Sequence, residues 1–110
     1  MCDLPSSKLK GGVDVNNRLT VIGAKRQVRL FERSSWAKTF GGRYYELLES
    51  SSGRFMCQFV TAGSPLDRLK LLSGRWERVV LLLDFEDEQS RIKGLTKAQG
   101  GKADHCEISY

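Results

Sequence analysis

His105 and Cys106 are the residues of this chain most suited to chemistry. A thiol beside an imidazole is the pairing a Cys–His nucleophile uses. His105 is the one histidine among 110 residues, so any imidazole-based proton transfer rests on it. Adjacent residues on a strand point to opposite faces, however, and the pair would need a bend to meet. The simpler expectation is a solvent-facing His105 and a buried Cys106. The acids Asp84, Glu86, Asp87 and Glu88 offer oxygen ligands of the kind calcium takes. They lack EF-hand spacing and read better as a solvated strand end, or as an acidic patch for a basic partner. Cys2, Cys57 and Cys106 lie far apart with no C-x-x-C pair. No H-E-x-x-H or phosphate loop occurs, and the Gly-Gly pairs at 11, 41 and 100 do not follow a strand and open a helix. The chain is therefore expected to be no enzyme and to hold no metal and no cofactor.

Binding chemistry is better represented. Lys25, Arg29 and Arg33 recur at i, i+4 and i+8, joined by Arg26, on a segment with one acid, Glu32. Such cations suit phosphate contacts. Arg18, Lys38, Arg43 and Arg54 are expected nearby, and Tyr44 or Tyr45 is placed to stack a base. The formal net charge is +5 and unevenly spread. Residues 1–83 carry 14 Lys/Arg against 7 Asp/Glu, and residues 84–110 carry 4 against 6. A basic domain attracts nucleic acid and acidic surfaces generally.

The elements that must position these residues are legible from period and punctuation. Residues 1–13 read as a flexible arm and 14–110 as one domain. Cysteine usage and the absence of an apolar leader point to a reducing, cytoplasmic setting. The longest apolar run, Val79–Leu83, has five residues and is too short to span a bilayer. Asn17–Gly23 reads as a strand. Ala24–Trp36 reads as one helix with Ala24, Val28, Phe31 and Ser35 inward. Tyr44–Glu49 and Arg54–Thr61 read as a hairpin across Ser50–Gly53, with Phe55, Cys57 and Phe59 on one face. Ser64, Pro65 and Asp67 are start signals for a helix with Leu66, Leu69 and Leu72 inward. Gly74 is placed to stop it. Arg78–Asp87 is a strand with Val79, Leu81, Leu83 and Phe85 on one face. Arg91–Lys97 and Ala103–Ser109 read as a terminal hairpin.

The order predicts an α+β fold of ferredoxin-like, split β-α-β type (βαββαβ). It would be an antiparallel sheet in strand order 4-1-3-2 with two helices on one face, extended by a C-terminal β-hairpin. Two stretches resemble the YubB-type ferredoxin-like domain family of phage and plasmid proteins. One is Asn17-Arg18-Leu19-Thr20-Val21-Ile22-Gly23 and the helix after it. The other is Phe59-Val60-Thr61-Ala62-Gly63-Ser64-Pro65, the Leu-rich helix to Ser73, the strand ending Asp84-Phe85-Glu86-Asp87, and Gly94. The resemblance covers roughly residues 15–95. Gly63 departs from it, since the family pattern has a large aromatic there, usually Trp. It implies a fold and a mobile-element origin, and it supplies no catalytic residues.

On this arrangement Met56, Val60, Val80 and Leu82 share the sheet face without helices. They would form an apolar patch closed by the C-terminal hairpin or by another subunit. The expected function is thus non-enzymatic binding through that face, to a protein partner or a second copy, in a small protein of a mobile genetic element. The alternative is nucleic-acid binding through Lys25, Arg26, Arg29 and Arg33. No membrane partner is expected.

Overall fold

A computed structural model describes residues 14–110. The arm read at residues 1–13 lies outside the described residues. The chain forms β1 (Asp14–Gly23), α1 (Lys25–Glu32), α2 (Trp36–Phe40), β2 (Arg43–Ser51), β3 (Arg54–Ala62), α3 (Leu66–Arg75), β4 (Val79–Asp87), β5 (Ile92–Gln99) and β6 (Lys102–Ser109). All strands join one antiparallel sheet in the order β2-β3-β1-β4-β5-β6.

The ferredoxin-like βαββαβ unit with two helices and an added hairpin is not what forms. Among the described residues there are three helices, and the last hairpin is not an extension. β5 pairs along β4 from Leu81↔Ala98 to Asp87↔Ile92, so the sheet simply continues by two strands. The strand order 4-1-3-2 does recur within it. The third helix arises from a break at the serines. The Ser34 hydroxyl and its backbone N–H both donate to the Phe31 carbonyl, at 2.6 and 3.0 Å, which ends α1 by local competition for its last carbonyls. Ala24 and Ser35, expected inward, are exposed, and Trp36 and Phe40 of α2 take that place in the core.

The core follows from strand alternation. Val15, Leu19 and Val21 of β1, Phe55, Cys57 and Phe59 of β3, and Leu81, Leu83 and Phe85 of β4 point to one side. Phe31, Trp36, Phe40, Leu66, Leu69 and Leu72 from the helices cover them. The Trp36 ring lies within 5.6–6.1 Å of Phe31, Phe40, Tyr45, Phe55 and Phe59. Burying an aromatic of this size contributes about 2–3 kcal/mol. Trp76 closes the cluster edge-on to Phe31 at 5.3 Å.

At the junction between β3 and α3 the Ser64 hydroxyl accepts from the Leu66 N–H at 3.3 Å, one residue ahead of the cap position held by Pro65. Gly63 has φ 86, a left-handed conformation that a side chain disfavours. Gly74 does not end α3. It lies inside the helix, beside the β5–β6 turn, where the Gly101 N–H donates to Ser73 Oγ at 3.0 Å.

Candidate functional site

His105 and Cys106 do point to opposite faces, but the expected sides are reversed. His105 is 1% exposed and Cys106 is exposed. The reason is register. His105 stands opposite Thr96, on the face of Ile92 and Ala98, and Cys106 stands opposite Leu95. The His105 Nε2 lies 2.5 Å from Glu107 Oε1, and Nδ1 lies 2.7 Å from Thr96 Oγ1. A carboxylate only accepts, so Nε2–H donates to Glu107, and in a neutral ring Nδ1 accepts from the Thr96 hydroxyl. The Phe85 ring stacks on the imidazole at 5.4 Å, lying across Gly94, where a Cβ would sit 2.5 Å from Phe85 Cζ. Hydroxyl, imidazole and carboxylate thus stand in the order of a hydrolase triad. Thr96 is as buried as His105, so the hydroxyl faces protein and not a substrate. The arrangement is a satisfied polar core.

The acids do not converge. Asp84 and Glu86 point away from the helices, while Asp87 is buried, its Oδ1 accepting from the N–H groups of Gln89 and Ser90 at 3.1 and 3.2 Å. Among the described residues no group of three or more His, Cys, Asp or Glu is placed to hold a metal ion.

Lys25, Arg26, Arg29 and Arg33 are all exposed. Lys25 and Arg29 wall a small cleft against Ser50, Ser51 and Ser52, with Glu32 held there by the Ser50 hydroxyl at 2.8 Å. Three of the other expected cations do not join them, and Lys38 is exposed on α2. Arg18 sits on the opposite side of the sheet, Arg43 pairs with Asp14 at 2.5 Å, and Arg54 pairs with Glu49 at 3.6 Å. The Asp14 carboxylate holds the Arg43 guanidinium above its ordinary value.

Met56, Val60, Val80 and Leu82 do share the face away from the helices, each half-buried. Register sets them in rows: Met56–Thr20–Leu82, Val60–Asn16–Glu86 and Ile22–Val80. Exposed Ile22, Leu95 and Ile108 extend the apolar surface. The final hairpin lies in the plane of the sheet, so among the described residues nothing covers this face. A groove of about 630 Å³ runs across it, lined by Arg18, Gln58, Asp84, Lys93, Leu95 and Cys106 among others.

The two tyrosines of β2 diverge because the strand slips register between Arg43 and Glu46. Tyr45 turns inward, stacks on Phe59 at 4.9 Å and donates to the Ala37 carbonyl at 2.8 Å; burial raises its phenol pKa. Tyr44 has φ 58 and is 77% exposed, beside Asn16 and Val60 at the rim of the open face. No sequence signal separated the two, because a bulge is set by pairing.

No protein-family model, no curated protein and no solved structure matches the chain.

Proposed function

We propose that this chain is a non-enzymatic protein-binding domain that works through the helix-free face of its sheet. One observation carries the reading. Met56, Val60, Val80 and Leu82 share a face with exposed Ile22, which stands opposite Val80, and with exposed Leu95 and Ile108 on β5 and β6, and no described element covers that face. Exposed contiguous apolar surface on this scale is typical of interaction sites. The test is binding of an apolar fluorescent dye, anilinonaphthalene sulfonate, to dilute folded protein. Leu82→Asp should remove most of the dye signal. Leu71→Asp, at an exposed leucine on α3, should leave it. Dye binding that survives Leu82→Asp contradicts the reading.

The exposed cations of α1 favour a second reading, nucleic-acid binding. None of Lys25, Arg26, Arg29 and Arg33 is in an ion pair among the described residues. Binding of single-stranded DNA or RNA at low salt, lost in Arg29→Glu/Arg33→Glu, is the result that supports it. No binding to either polymer at low salt removes it. A mobile-element setting is a further proposal, supported by the sequence resemblance.

A further inference from the structure

Resting on the binding-face reading, we infer that the occupant of the helix-free face is a second copy of this chain, packed face to face about a two-fold axis. Charge placement is the first argument. The chain is basic overall, yet the charges set among the apolar residues of this face alternate across strands: Arg18↔Asp84, Glu86↔Lys93 and Lys97↔Asp104. The face is therefore balanced while the rest of the surface carries the excess. A polyanion would meet as many carboxylates as cations here, and two copies would not repel. A two-fold interface must be self-complementary, since each patch meets its own image. Adjacent opposite charges meet that demand, because a small offset sets each cation against the partner's anion.

These charges are also available to a partner. Among the described residues none of these six side chains is in an ion pair within 4.0 Å, although Glu86 accepts from the Tyr110 hydroxyl. Size is the third argument. Six strands about 4.8 Å apart and about 30 Å long present on the order of 700 Å² in projection. A standard interface takes about 800 Å² of accessible surface from each partner.

Charge reversal tests the inference. Wild type should scatter light as about twice 12.4 kDa at high micromolar concentration. Arg18→Asp and Asp84→Arg each unbalance the face, and each alone should weaken self-association at least about tenfold and run as a monomer. Mixed together they should restore the doubled mass, because the acidic face of one then meets the basic face of the other. Lys97→Asp and Asp104→Lys repeat the experiment at a second pair, and circular dichroism confirms that each variant is folded. A monomeric wild type overturns the second-copy inference, as do reversals that stay dimeric or a mixture that stays monomeric. If wild type is monomeric but loses dye with Leu82→Asp, the binding face stands and its occupant is another protein. If the dye result fails as well, both readings fall.

Discussion

The Thr96–His105–Glu107 chain shows how a side chain that looks catalytic serves as structure. His105→Ala would remove the donor that faces a nearly buried Glu107 carboxylate and open a hole against Phe85. The expected loss is about 3 kcal/mol, measured as a shift of the urea midpoint at unchanged slope. Cys106→Ser, on the exposed face, should stay within about 0.5 kcal/mol of wild type. The sequence made the opposition of His105 and Cys106 legible, through strand alternation. It did not show which side held the core, because that depends on Thr96 lying opposite His105. At Tyr110 the phenol is pushed up to about 12, chiefly because its hydroxyl donates to Glu86. The raised value means the neutral phenol is favoured in the fold. Its contribution is full below pH about 10 and is lost as pH rises through about 12. Ultraviolet titration of wild type should show this late tyrosine, and Glu86→Gln should return it toward about 10.

At the scale of elements, what was legible was whatever local pattern decides. Leu66, Leu69 and Leu72 marked the inward stripe of α3, and Phe55, Cys57 and Phe59 marked the inward face of β3. What was not legible depended on competition or pairing. Ser34 diverts the Phe31 carbonyl and makes two helices of one, so Trp36 enters the core from α2. Gly74 reads as a helix stop but lies one residue inside the end of α3. Two glycines have position-specific reasons that substitution should expose. Gly63→Ala forces a side chain onto φ 86 and should cost about 1–2 kcal/mol in chemical denaturation. Gly94→Ala places a Cβ 2.5 Å from Phe85 Cζ and 2.7 Å from the Cys106 carbonyl, so Phe85 and the strand must both shift. The expected loss is about 3 kcal/mol with a blue-shifted or broadened Phe85 environment, read by denaturation and by the ring's NMR signals.

The whole molecule is a one-sided sheet. Three helices cover one face, and six strands leave the other bare among the described residues. Sequence alternation already placed Met56, Val60, Val80 and Leu82 together. The consequence of β5 and β6 joining the sheet, that the hairpin cannot fold back over them, emerges only from the pairing of Leu81 with Ala98 and Asp87 with Ile92. What that bare face binds is the central question of function. The most direct measurement is mass by light scattering over a dilution series, for wild type and for Leu82→Asp. The predicted result is a wild-type mass near twice 12.4 kDa that falls on dilution, with Leu82→Asp folded and at 12.4 kDa throughout. A wild type at 12.4 kDa at every concentration, or a Leu82→Asp variant that associates as wild type does, would contradict it.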